Sequence, residues 1–203
     1  PTTVTSGEIY FKRAVRIAED NPESDWKTLA GATLALGDFY MYQGSEQRAR
    51  KVYMDVWNVL SEDDERFDYR RESLESVNVL RQRSLPEFVG DGVGPAGIGA
   101  EDTMLQGRIT LSYQVSTRGR ATGVKVVEAR PEEFSEMLMN VQREVRRRVF
   151  RPIFVDGEPV TSADQLITHR FYYSPSELEA IRNESADGEE PEASAETADT
   201  EET

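Results

Sequence analysis

Hydrophobic residues follow two different periods along this chain. In four segments of the first 84 residues they recur every three or four positions, which predicts helices beginning near residues 6, 25, 45 and 66, the last reaching residue 83. From residue 107 the period becomes two: Ile109, Leu111, Tyr113 and Val115 alternate with polar residues, which predicts a half-buried strand. The predicted fold class is therefore α+β, with the helices first.

The second half of the chain predicts a complete β-β-α-β unit. Gly119 lies in a short polar turn after the first strand, and β-branched residues resume from Thr122 to Val127, so these strands are expected to form a hairpin. A helix should then cover the hairpin through one apolar stripe, formed by Phe134, Leu138, Val141, Val145 and Val149. A last strand is predicted from Gln165 to Tyr173, which gives a domain over residues 104–175.

The second and third helices resemble one tetratricopeptide repeat over residues 30–62. The resemblance rests on small and large residues at the offsets of that repeat: Leu36, Gly37, Tyr40, Ala49 and Tyr53. It implies a helical module over residues 6–84 with a concave partner-binding face formed by Leu34, Asp38, Met41 and Tyr42. Only one repeat matches well, so an ordinary four-helix bundle without a groove is the alternative.

Several motifs of residues 104–174 together resemble the TonB C-terminal domain. They are Gln106 to Val115, Arg118-Gly119-Arg120, Val124 to Ala129, Phe134, Phe150-Arg151-Pro152 and Val155-Asp156-Gly157-Glu158-Pro159-Val160. The resemblance implies a periplasmic two-layer α+β domain that binds outer-membrane receptors by offering a sheet edge to an extended peptide. Members of that family usually carry a Tyr-Pro pair before the first strand, where this sequence has Leu85-Pro86-Glu87-Phe88.

The last strand is expected to provide the sheet edge. Its alternation puts four residues on one face, and these are predicted to bind a partner: Ile167, His169, Phe171 and Tyr173. The alternative is a plain edge blunted by Arg170.

Two segments are expected to lie outside the packed units. Residues 85–103 are rich in glycine and proline and predict a flexible linker. Residues 176–203 contain eleven acidic residues and one arginine, so most of the formal net charge of −14 belongs to this tail, which is predicted to be disordered beyond one helical turn.

The chemistry-bearing residues do not predict an enzyme. The chain has no cysteine and a single histidine, His169, so we expect no catalytic residues, no metal site and no cofactor. The helix carries a basic cluster near its C-terminal end, formed by Arg143, Arg146, Arg147, Arg148 and Arg151. These arginines either compensate the helix dipole or form an anion patch for nucleic acid or lipid headgroups, for which the candidate residues are Arg143, Arg146, Arg147 and Arg151. A further hypothesis is that the acidic tail folds back on these arginines.

These predictions favour a periplasmic protein–protein interaction protein of a TonB-type energy-transduction system. It would couple or scaffold envelope partners, including a TonB-dependent outer-membrane receptor or other proteins of that system. One alternative is a scaffold of another cell-envelope complex that keeps the fold without receptor binding, which the missing Tyr-Pro pair favours. Nucleic acid is not expected as a partner and no segment of this chain is apolar enough to cross a membrane. Anchoring in the inner membrane through a segment outside this sequence, and homodimerisation, are left open.

Overall fold

The computed structural model describes residues 6–89 and 104–187. It has the predicted α+β class, with helices in the first part and small antiparallel sheets in the second. The helices are α1 Ser6–Asp20, α2 Trp26–Tyr42, α3 Glu46–Leu60, α4 Phe67–Arg70, α5 Ser135–Arg147 and α6 Pro175–Asp187. The strands are β1 Asn78–Arg81, β2 Leu105–Val115, β3 Ala121–Arg130, β4 Val149–Arg151, β5 Ile153–Val155, β6 Glu158–Val160 and β7 Gln165–Tyr173. None of the described helices is long and apolar enough to cross a bilayer.

Helices α2 and α3 form the hairpin that the sequence predicts. The Asp25 side chain accepts a hydrogen bond of 2.8 Å from the Thr28 backbone N–H, so it caps α2 as expected. Gly37 lies against the Tyr53 ring, and a Cβ at this position would come within 2.5 Å of that ring. The absent side chain therefore sets how closely the two helices approach. Ser45 lies at the N-cap position of α3 but its side chain makes no capping hydrogen bond.

The predicted fourth helix over residues 66–83 is wrong beyond Glu75. A short helix and one π-helical turn end there, and β1 then pairs antiparallel with β4, Val79 opposite Phe150. The Asn78 side chain donates hydrogen bonds to the carbonyls of Glu72 and Ser73, which terminates the turn. Val77 and Leu80 have helical spacing, but the backbone of residues 78–81 forms its hydrogen bonds with β4, about 70 residues further along the chain.

The three-stranded sheet has the order β3-β2-β7, all antiparallel, and α5 packs on one face. The buried positions of β2 are the alternating residues Ile109, Leu111, Tyr113 and Val115, as predicted. Its glycine, Gly107, lies under the Phe171 ring of β7 where a Cβ would collide with that ring. The β-β-α-β order predicted from the sequence is therefore present.

Helix α6 corrects the prediction of disorder from residue 176. Ser174 Oγ accepts from the Glu177 backbone N–H at 3.2 Å, and Glu177 Oε2 accepts from the Ser174 N–H at 2.7 Å, which is a capping box. Leu178 and Ile181 pack on the sheet-helix core, and Arg182 pairs with Glu133 at 2.6 Å. Docking on the domain thus stabilises a segment whose composition predicts disorder. The predictions for residues 90–103 and 188–203 lie outside the described residues.

Strand β4 joins two hydrophobic cores. The prediction that Val149 belongs to the apolar stripe of the helix over the hairpin is wrong, because α5 ends at Arg147 and Val149 lies in β4. Val149 is packed with residues of α2 and α3, whereas Phe150 is packed with residues of β2, β7 and α5. This follows from the alternation of successive side chains along a strand. Phe154 of β5 also enters the helical core, where its ring lies 6.1 Å from Tyr53 and 6.4 Å from Trp57 between centroids. The helices and the β-β-α-β unit therefore pack directly against each other.

Candidate functional site

The outer edge of β7 is the first candidate binding surface. Strand β7 is an edge of the three-stranded sheet and pairs with β2 in continuous register, from Leu105 opposite Tyr173 to Tyr113 opposite Gln165. Backbone groups of successive residues in a strand point to opposite sides. Since the Tyr172 N–H and C=O bond away from β2, those of Leu166, Thr168 and Arg170 also point to the outer side. These backbone groups are the ones that an added strand would pair with.

The four predicted edge residues are not the ones whose backbone groups point outward but the residues that alternate with them along β7. His169, Phe171 and Tyr173 are buried and Ile167 is half-buried, and all four side chains face the α5 side of the sheet. Leu166, with 69% of its surface exposed, lies on the opposite face together with Thr168 and Arg170. The predicted residues thus build the core beneath the edge, and the exposed contacts belong to their neighbours.

One end of this edge is occupied by the chain itself. Glu87 and Val89 form backbone hydrogen bonds with Tyr172, and Phe88 stacks near the Tyr172 ring at 5.8 Å between centroids. The predicted linker over residues 85–103 therefore includes a segment, residues 86–89, that pairs with the sheet. Among the described residues, residues 165–170 of β7 have no backbone partner on the outer side.

His169 has a structural environment. Its Nε2 lies 2.6 Å from the Pro86 carbonyl, and its ring stacks on Phe171. Burial lowers the pKa of His169, while the hydrogen bond to the Pro86 carbonyl opposes that effect. The histidine therefore fastens the segment before Glu87 to the strand.

The four residues predicted for a concave face are distributed between a core and a surface. Leu34 and Met41 are buried in the helical core together with Val149 and Phe154, so β4 and β5 occupy the side of α2 that a groove would need. Tyr42 is exposed and lies under the Arg81 guanidinium, 5.4 Å from its ring centroid. Asp38 is half-buried and binds Arg151 of β4.

Asp38 and Arg151 form the polar centre of the contact between the helices and the sheet unit. Arg151 donates from Nε and Nη2 to the two carboxylate oxygens of Asp38, at 2.9 and 2.6 Å, and from Nη1 to the Ser73 carbonyl at 2.6 Å. Tyr53 donates to the same carboxylate at 2.8 Å. Burial is the largest single influence on the pKa of Arg151 and lowers it, but the hydrogen bonds to Asp38, the charge of Asp38 and the interaction with Tyr53 together raise that pKa above its ordinary value. Burial and the Asp38 charge raise the pKa of Tyr53. Arg151 is thus a structural cation.

The other arginines of the predicted anion patch are not brought together with Arg151. Arg143 bonds to Asn140, and Arg147 pairs with Glu144 at 3.0 Å. Arg146 and Arg147 are exposed and line one groove together with Glu144 and three arginines of other segments, Arg81, Arg83 and Arg120. The four residues therefore do not form one surface on the helix.

Sequence reasoning missed the residue of this cluster with the most unusual environment. Arg148 is only 8% exposed, and its Nε is buried without a hydrogen-bond partner. Its spacing contains the signal, since Val141, Val145 and Arg148 fall on one helical stripe at steps of four and three. For the sheet edge, the signal in the sequence was the alternation of residues along β7. Which of the two alternating sets points outward is fixed only by the register with β2.

The chain matches no model of a known protein family, and it matches no curated protein.

Proposed function

We propose that this chain is a periplasmic protein–protein interaction protein that captures an extended peptide along the outer edge of β7, in a TonB-type energy-transduction system. The observation that carries the proposal is the outward-pointing backbone of Leu166, Thr168 and Arg170 on an edge strand that is firmly paired on its other side. The resemblance of residues 104–174 to the TonB C-terminal domain supplies the proposed partner, an outer-membrane receptor.

An NMR titration with an extended peptide from the periplasmic segment of such a receptor tests this. Strand addition should shift the amide signals of Leu166, Thr168 and Arg170 most, because their N–H groups gain new acceptors. Thr168→Pro removes one donor at the edge and should weaken binding about tenfold, since a lost hydrogen bond in a desolvated interface costs about 1.5 kcal/mol. Thr168→Val keeps the N–H and should bind like the native chain. Equal binding by both variants, or shifts confined to other surfaces, would overturn the proposal.

A scaffold of another envelope complex is the second candidate, favoured by the pairing of Glu87 and Val89 with Tyr172. That pairing occupies the Tyr172 end of the edge. The paired segment is the one in which members of the family usually carry the Tyr-Pro pair. If the receptor peptide leaves the β7 amides unshifted while the domain stays folded, the energy-transduction role fails and this candidate is favoured.

A further inference from the structure

Arg148 lies at the junction of α5 and β4, where it lines a cavity of about 600 Å³ beside the edge of β7. Two exposed arginines from other segments line the same cavity, Arg83 after β1 and Arg170 in β7. Glu87 is the single acidic residue among the described lining residues. The cavity therefore carries two more positive than negative side chains.

The burial of Arg148 without a partner distinguishes this cavity from an ordinary basic surface. In the part of the chain that the structure describes, no carboxylate forms an ion pair with Arg148, and its Nε has no hydrogen-bond acceptor. Glu144 lies one helical turn earlier, but its Oε1 accepts from Arg147 and its Oε2 is buried without a partner, so it does not bind Arg148 either. A buried donor without an acceptor is costly, and an anion bound at the guanidinium group would offset part of that cost.

Neighbouring side chains favour an anion of more than one charge. Arg83 also lines the adjacent groove, whose walls carry four further arginines and one acidic residue, Glu144, so the positive potential extends beyond the cavity. Guanidinium groups bind phosphate oxygens with paired hydrogen bonds. Three arginines against one glutamate match a dianionic phosphate better than a single carboxylate.

We propose that the cavity between Arg83, Arg148 and Arg170 is a binding site for a phosphate group, carried by a small soluble molecule or by a lipid headgroup. Phosphate would be held between α5, β7 and the segment that leads to Glu87, so its binding would strengthen the contact of that segment with the sheet edge. This inference goes beyond the proposed peptide capture and can fail without affecting it.

Thermal unfolding of the full chain at low ionic strength, with inorganic phosphate or pyrophosphate added, provides the test. Binding to the folded state should raise the melting temperature with increasing ligand. Chloride at matched ionic strength should raise it less, because it only screens the repulsion among the charges of an acidic chain. No difference between pyrophosphate and chloride would overturn the proposal.

Three variants locate the effect. Arg148→Gln and Arg170→Gln should each weaken pyrophosphate binding about tenfold or more, as expected for hydrogen bonds to charged groups. Arg143→Gln is the matched control, since it removes an exposed arginine of the same helix, and it should keep the native affinity. The Arg170 variant changes an exposed residue and so keeps the test valid if Arg148→Gln alters folding. Equal affinity loss in Arg143→Gln, or native affinity in Arg170→Gln, would contradict the site.

Two further arms identify the source of the anion. Vesicles of phosphatidylcholine with phosphatidic acid, compared with phosphatidylcholine alone, separate a lipid headgroup from soluble phosphate: Arg170-dependent vesicle binding identifies the headgroup, and pyrophosphate binding without it identifies a soluble ligand. The variant Glu144→Gln tests whether the carboxylate one helical turn before Arg148 takes the role. If only that variant binds pyrophosphate, the cavity belongs to an internal ion pair and the proposal of a separate ligand is overturned.

Discussion

Arg148 and Arg151 lie three residues apart and are both largely buried, yet their surroundings are opposite. Arg151 reaches the helices, where the Asp38 carboxylate and the Ser73 carbonyl accept three hydrogen bonds from its Nε, Nη1 and Nη2. Arg148 reaches the edge of the sheet, where its Nε meets no acceptor in the described residues. The difference shows that a buried cation is structural where the fold supplies its anion, and a candidate binding group where the fold does not.

The largest expected effect breaks the paired member of this comparison. Arg151→Met should destabilise the chain by roughly 3 kcal/mol, because it leaves the Asp38 carboxylate half-buried without its cation. Arg148→Met should change the free energy of unfolding by less than about 1 kcal/mol or raise it, because it removes an unpaired buried charge and keeps the aliphatic packing. Urea denaturation of both variants measures this. Equal losses would mean that Arg148 also has an internal partner.

A smaller effect is expected at the hairpin of α2 and α3, which positions Asp38 for Arg151. Gly37→Ala should cost about 2 kcal/mol, because the new methyl group would overlap the Tyr53 ring in a packed core. Gly31→Ala is the matched control on the same helix: its Cβ would meet only the Tyr69 hydroxyl at 3.7 Å, so the variant should gain up to about 1 kcal/mol from helix propensity. Chemical denaturation of the two variants should give opposite signs, and a shared sign would contradict the packing argument.

The smallest effect concerns another ion pair, that of Glu8 with Arg48, which lies far from β4. It appears only in acid. Hydrogen bonds from Arg48 and then Lys12 hold the pKa of Glu8 at about 2, below its usual 4.5. Because the folded-state pKa is lowered, this contribution is complete above about pH 4.5 and is lost as the pH falls towards 2.

Glu8→Gln should therefore flatten the loss of stability between those two pH values, measured as the urea midpoint at each pH. Glu19→Gln, an exposed change on the same helix, should leave the native pH profile. If the urea midpoint of Glu8→Gln falls in acid as steeply as that of the native chain, other carboxylates govern the loss of stability.

The candidate binding edge was predictable in its place but not in its residues. The alternation of β7 was visible, and so was the likeness of its surroundings to a strand-adding domain. Which parity faces solvent depends on the register with β2, a strand some 60 residues earlier, and on the Tyr172 pairing with Glu87 and Val89. A pattern of period two cannot decide this, because both faces of β7 carry large side chains, Leu166 and Tyr172 on one and Phe171 and Tyr173 on the other.

By itself the sequence determined the α+β class, the hairpin of α2 and α3, the β2-β3-α5-β7 order and the buried stripe of β2, since these follow from local periodicity and turn residues. Only the tertiary structure decided that residues 78–81 form a strand, that α6 is helical to Asp187, and that Arg151 pairs with a carboxylate while Arg148 finds none among the described residues. Each of these depends on a partner distant along the chain, as with Asp38 and Arg151, which are separated by 113 positions. Local sequence sets the tendency of a segment, and the distant partner supplies the hydrogen bonds and the burial that decide its state.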